Sequence, residues 1–127
     1  MATPLNPTRI HPPFAPYNHG ILVPAGQQLV FCSGQLGIAA DRQVPADCAG
    51  QARICFDSIA AILEEAGMSL SNVVRINAFV TGREHLADYM AVRNDLFSEP
   101  YPASTLMIVS GFARPEFVVE IEAIAAG

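Results

Sequence analysis

The sequence predicts an α+β domain in the order ββαβαββ, with one mixed sheet and both helices on one of its faces. Three observations carry this. Residues 73–80 alternate Arg75, Asn77 and Phe79 against Val74, Ile76, Ala78 and Val80, the period-two pattern of a strand with one apolar and one partly polar face. Two stretches with helical spacing flank that strand. Each is long enough for a right-handed crossover, and crossovers of one hand place both helices on the same side of the sheet.

Taken in order, residues 1–16 hold Pro4, Pro7, Pro12, Pro13 and Pro16, which fix backbone angles and remove amide donors, so an irregular arm wrapped over the body is expected. Gly20 to Val23, a Pro24-Ala25-Gly26 turn and Gln28 to Ser33 read as a hairpin ending in the loop SGQLG, whose small residues let a ligand approach the backbone. Asp47 is placed to cap a helix carrying Ala52, Cys55, Phe56, Ile59, Ile62, Leu63 and Ala66, with Gly67 as its stop. After the strand at 73–80 and Thr81-Gly82, a second helix carries Leu86, Tyr89, Met90, Leu96 and Phe97 and ends before Pro100. Leu106 to Val109 and Phe117 to Ile124 flank a Gly- and Pro-containing turn from Ser110 to Pro115, which reads as a second hairpin. In its last strand Val118, Glu120, Glu122 and Ile124 share a face. The face opposite the helices therefore presents Arg75, Asn77, Glu120 and Glu122 among apolar neighbours, and copies of the same chain are the simplest way to bury it.

The 127 residues make one domain, 1–127, and a 51% hydrophobic composition exceeds what a lone domain of this size needs, which points to an oligomer. Net charge is −5 with a pI near 5.0 and the basic residues are scattered, so no footprint for a phosphate backbone is visible and nucleic acid is not an expected ligand. All seven basic residues are arginine. Without a lysine there is no Schiff base to build, which excludes pyridoxal-phosphate and aldolase-type covalent chemistry. Cys32, Cys48 and Cys55 are odd in number, lack CxxC spacing and lie in apolar segments, the pattern of reduced thiols in a cytoplasmic protein. The histidines and cysteines have no metal-ligand spacing, so no metal and no cofactor are expected. No leader and no membrane span are expected either.

Four segments in order, APYNHG at 15–20, FCSGQLG at 31–37, ILEEAGMSLSNVVR at 62–75 and YPAS…VEIEAIA at 101–125, make the chain resemble the Rid family, also called YjgF or L-PSP. That resemblance implies a chorismate-mutase-like fold, a homotrimer whose sheets form a central barrel, and small-molecule clefts between subunits. It further implies hydrolysis of reactive enamines and imines to a carbonyl compound and ammonia. In the family a glutamate on the last strand handles the attacking water, which maps to Glu120. A tyrosine in the PY motif maps to Tyr17, and the backbone of the SGQ loop maps to Ser33 and Gly34. His19 stands where many members have glutamine and is a candidate cleft residue able to exchange a proton near neutral pH. The family's arginine after Pro-Ala, which clamps the substrate carboxylate, is Ser104 here. Two positions on, where many members have cysteine, stands Leu106.

A serine hydroxyl cannot replace the two charge-assisted bonds of a guanidinium, each worth about 1.5–3 kcal/mol. A substrate other than 2-aminoacrylate is therefore expected, with Arg93 or Arg114 as possible sources of a replacement guanidinium. Two other functions stand beside this one: a noncatalytic small-molecule-binding trimer, and the ribonuclease or translation inhibitor that some family labels state.

Overall fold

A computed structural model describes residues 2–127. Its strands are β1 (Thr3–Leu5), β2 (Gly20–Leu22), β3 (Leu29–Leu36), β4 (Val73–Val80), β5 (Ala103–Ile108) and β6 (Val119–Ala126). Its helices are α1 (Cys48–Glu64) between β3 and β4, and α2 (Leu86–Leu96) between β4 and β5, with short 3-10 turns at Leu70–Asn72 and Arg83–His85. Asp47 caps α1 through a side-chain bond from the Gly50 amide, and Gly67 follows the helix at φ 70°, a backbone angle that suits a residue without Cβ.

The main sheet runs β3-β6-β4-β5, with β4 and β5 parallel and β6 antiparallel to both of its neighbours. The expected hairpin between the last two strands is not formed. The α2 crossover returns the chain parallel to β4, so β5 occupies one edge of that strand and β6 must cross to the other. The connection wraps the end of β4: Val109 N donates to Val80 O at 2.8 Å and Thr81 N to Val118 O at 3.1 Å.

The expected hairpin at residues 20–33 is not formed either. β2 pairs with β1 in a separate two-stranded sheet, Thr3 opposite Leu22, so the arm is not wholly irregular. The chain then enters the main sheet through paired bonds between Gln28 and Gly127, of 2.8 and 3.0 Å. The SGQL segment is also strand rather than loop. It belongs to β3, whose register against β6 slips between Cys32 and Gln35, a bulge that exposes Ser33 and Gly34.

Alternation builds the core. Ile76, Ala78 and Val80 of β4 and Val119, Ile121, Ala123 and Ala125 of β6 are buried against Ala52, Cys55, Phe56, Ile59 and Leu63 of α1 and Tyr89 and Val92 of α2. Phe56 packs its ring against Tyr89 and Phe97, with centroids 6.3 and 5.3 Å away. Gln51 is a buried polar exception. Its Nε2 donates to Pro45 O at 2.9 Å and Glu116 O at 2.8 Å, and its Oε1 accepts from Val118 N at 3.0 Å, which ties α1 to the loop entering β6. Both helices cover one face, as expected. The other face is open and carries Phe31, 68% exposed, and Met107, 52% exposed.

Candidate functional site

Because β6 buries its odd-numbered residues against the helices, Glu120 and Glu122 stand on the open face. Glu120 pairs in register with Leu36 on one side and Phe79 on the other. Its carboxylate lies over the β3 bulge, where a Cβ on Gly34 would come within 2.9 Å of Glu120 Cδ. Glycine at 34 is what lets the carboxylate settle there. Among the described residues no side chain bonds to the Glu120 carboxylate. Glu122 differs, accepting from Asn77 Nδ2 at 3.1 Å. Arg75 donates to Asn77 Oδ1 at 3.0 Å and to Thr105 Oγ1 at 2.6 Å, so a polar chain runs from β5 to β6 across the open face and stops short of Glu120. Beside it Phe31, Asn77, Glu122 and Ile124 line a depression of about 200 Å³.

Residue 104 lies on the other side of the sheet. Ser104 pairs with Ile76, a residue of the helix-covered face, and Leu106 pairs with Ala78 on that same face, where it packs against the core. Arg93, on α2, reaches Ser104 from beneath: Nη1 donates to Ser104 Oγ at 3.2 Å and Nη2 to Asn94 Oδ1 at 3.4 Å. Tyr89, one helical turn earlier, brings its hydroxyl beside both. Burial pushes that phenol up to about 12, while the nearby Arg93 charge and Ser104 pull it back. Among the described residues the hydroxyl makes no hydrogen bond of good geometry. Arg114, by contrast, stays with Glu116 at 3.3 Å and over the Phe117 ring at 4.7 Å.

Tyr17 and His19 belong to the arm. Between them Asn18 is buried, donates its amide to Pro102 O at 3.1 Å and bridges to Ala103, which fastens the PYNHG segment beside the start of β5. Tyr17 Oη accepts from Phe14 N at 3.3 Å, and its ring meets His19 edge-on with centroids 5.8 Å apart. His19 Nε2 donates to His11 O at 2.7 Å, since a carbonyl oxygen only accepts.

One chain therefore holds the sequence-derived residues in three places: Glu120 with Ser33 and Gly34 on the open face, Ser104 with Leu106 on the helix face, and Tyr17 with His19 in the arm at the β5 edge. A separate cavity of about 290 Å³, lined by Ile21, Gln27, Asn72, Val74, Tyr101 and Ala126 among others, contains none of them. Sequence reasoning did not single out Asn18, Gln51 or Tyr89. Arg93 follows Tyr89 by four residues on an otherwise apolar helix face, and that spacing was the signal for both. The thiols are not nucleophile candidates: burial first, then neighbouring groups, pushes Cys48 up to about 11 and Cys55 to about 12.

The fold and site define a class: small α+β domains with a mixed sheet, two helices on one face and an isolated glutamate on the last strand. The chain belongs to the Rid (YjgF, L-PSP) family, since the family model described as endoribonuclease L-PSP matches residues 8–127. TdcF of Escherichia coli K12, named as a candidate reactive intermediate deaminase, is 31% identical over 101 residues, covering 76% of this chain and 78% of its own. The crystal structure of RidA from the Antarctic bacterium Psychrobacter sp. PAMC 21119 is 33% identical, with a TM-score of 0.72 over 89% of each chain. YyfB of Yersinia pestis, described as a protein of unknown function in the conserved Rid family, shares the fold at a TM-score of 0.87 and 24% identity, over 99% of this chain and 98% of that one.

Proposed function

We propose that the chain hydrolyses a reactive enamine or imine metabolite to a carbonyl compound and ammonia, working in the cytoplasm as a homotrimer with ligand clefts between subunits. The observation that carries this reading is the Glu120 carboxylate, half-buried, without a side-chain partner among the described residues and held over a glycine bulge. A carboxylate so placed accepts a proton from a water molecule as the oxygen adds to the C=N carbon. The carboxylate returns that proton to the nitrogen, giving a carbinolamine, then takes the proton of its hydroxyl and passes it on as the C–N bond breaks, so the carbonyl forms, ammonia leaves and one water is consumed for each ammonia released. Family membership and the names of TdcF and RidA support the same chemistry.

The arrangement in space supports clefts between copies. Glu120 and residue 104 face opposite sides of one sheet, so a ligand reading both has to lie between two chains. Tyr17 and His19, fastened beside Ala103, then stand at the rim with the Ser33 and Gly34 backbone across from them. Ser104 in place of arginine favours a substrate other than 2-aminoacrylate, and it also supports the second reading, a noncatalytic binding trimer. A ribonuclease reading, which the family description carries, has to contend with a net charge of −5.

The test generates 2-aminoacrylate in the reaction mixture with a pyridoxal-phosphate dehydratase and follows keto-acid and ammonia release. Wild type is expected to accelerate release weakly, Ser104→Arg more strongly, and Glu120→Gln to lower either rate about a hundredfold. If wild type and Ser104→Arg are both inert while metabolites still raise the melting temperature, the binding-trimer reading replaces this one.

A further inference from the structure

The cavity of about 290 Å³ lies where β2 of the arm, the start of β4 and the end of β6 meet. Its lining holds none of Tyr17, His19, Ser104 or Glu120, and Glu120 stands near the other end of β6 from the lining residue Ala126. Ile21, Val73, Val74 and Pro100 make most of the wall apolar, and no charged side chain lines it. The volume sits at the lower edge of small-molecule pockets, which run from roughly 300 to 1,000 Å³. Its polar groups divide into two sets. Asn72 is committed, its Oδ1 accepting from Ser69 N at 3.0 Å and its Nδ2 donating to Ala126 O at 3.2 Å, and Ser71 Oγ is bonded to Ser69 Oγ at 2.7 Å. Gln27 and Tyr101 are not committed. Gln27 Oε1 is buried and receives no donor, and among the described residues nothing bonds to the Tyr101 hydroxyl. A buried carbonyl oxygen without a donor is destabilising, and a ligand N–H that reaches it removes that cost. The chain holds both residues in place from behind: Gln28 exchanges two backbone bonds with Gly127, and Tyr101 O accepts from Asn18 Nδ2.

We infer that this cavity is a second small-molecule site, taking an uncharged molecule that carries an amide on an apolar body. The absence of charge follows from the lining, because an ion would leave water for a wall with no charged side chain to meet it. The amide follows from the two free groups. Its N–H donates to Gln27 Oε1 and its carbonyl accepts from the Tyr101 hydroxyl, so an acceptor and a donor on separate residues are matched by separate atoms of one planar group. The apolar body covers Ile21, Val74 and Pro100. This site stands apart from the deaminase reading, since no residue of that reading lines it.

The test incorporates fluorotyrosine into the whole protein, whose three tyrosines, Tyr17, Tyr89 and Tyr101, then give separate fluorine signals. The Tyr101 signal is the one missing from Tyr101→Phe. Titration with benzamide is expected to shift that signal to saturation and to leave Tyr17, at the rim of the proposed cleft, unmoved. N,N-dimethylbenzamide, which has no N–H, is expected to bind about three- to tenfold more weakly, and benzoate at least about tenfold more weakly. Gln27→Leu removes the acceptor at similar volume, and because Oε1 has no partner the fold loses no bond by it. In that variant benzamide is expected to bind about three- to tenfold more weakly than in wild type, level with its dimethyl derivative. The site is overturned if benzamide leaves Tyr101 unmoved or moves Tyr17 instead or as well, and equally if benzoate binds as tightly or Gln27→Leu binds benzamide like wild type. If Gln27→Leu fails to fold, the comparison of benzamide with N,N-dimethylbenzamide on wild type decides, equal affinities removing the amide site. Ammonia release is read separately, so failure of the deaminase reading leaves these shifts in place and loss of the shifts leaves that reading untouched.

Discussion

The two faces of the main sheet solve the same problem differently. On the helix face, Ile76, Val80, Val119 and Ile121 lose all contact with water inside the chain, while on the open face Phe31 remains 68% exposed beside Asn77 and Glu122. Both faces arise from the same alternation along β4 and β6. The helix face is finished by the crossover helices, and its substitutions act on stability. The open face keeps its apolar groups in water and its carboxylates near them, so its substitutions are expected to act on assembly and chemistry. Carboxylates survive among apolar neighbours where the fold has not yet closed over them.

The most severe way to challenge this division is Phe56→Ala, which empties the contact among α1, α2 and Phe97. It is expected to cost about 3–5 kcal/mol, a large share of a typical domain's stability, read from urea unfolding. Gln51→Leu comes next, because it leaves Val118 N, Pro45 O and Glu116 O without their partner in a buried site. A loss of about 2–4 kcal/mol is expected, and a neutral result would mean that water replaces all three bonds. On the open face Phe31→Asp should change unfolding by less than about 1 kcal/mol yet shift the mass measured by light scattering to that of a monomer. An unchanged mass would remove this face from the interface.

The last effect is alkaline and is absent near neutral pH. Cys48, Cys55 and Tyr89 all have folded values raised above their ordinary 9.0, 9.0 and 10.0, to about 11, 12 and 12. A raised value favours the protonated form in the folded state, so the stability it contributes is intact below the unfolded value and lost as pH rises toward the folded one. The melting temperature is expected to hold to about pH 9 and then fall, with Tyr89→Phe flattening the part above pH 10. A decline that begins well below pH 9 would assign it to other groups.

Much of this was legible from local pattern. The bounds 73–80 for β4, Asp47 as cap, Gly67 as stop and the separation of Glu120 from Ile121 all follow from periods of two and 3.6 and from backbone angles. The strand pairings were not. Two runs flanking a turn look like a hairpin whether or not a third strand lies between them, and nothing local told the 103–108 segment to join β4 in parallel. The same limit hid the partners of the candidate site. Ser104 read as a lost guanidinium because its neighbour eleven positions earlier belongs to a helix packed beneath it, and Tyr17 and His19 gave no sign that Asn18 would be what fastens them.

The sequence by itself determined the family, the helices and the faces of β4 and β6, with Glu120 and Glu122 on the open side, because each depends on residues close in the chain. Only the tertiary structure decided which strands are neighbours, that Gly34 makes room for Glu120, and that Arg93 stands under Ser104. Those facts depend on contacts between residues far apart in sequence, and burial and hydrogen bonding select among the pairings that local pattern leaves equal.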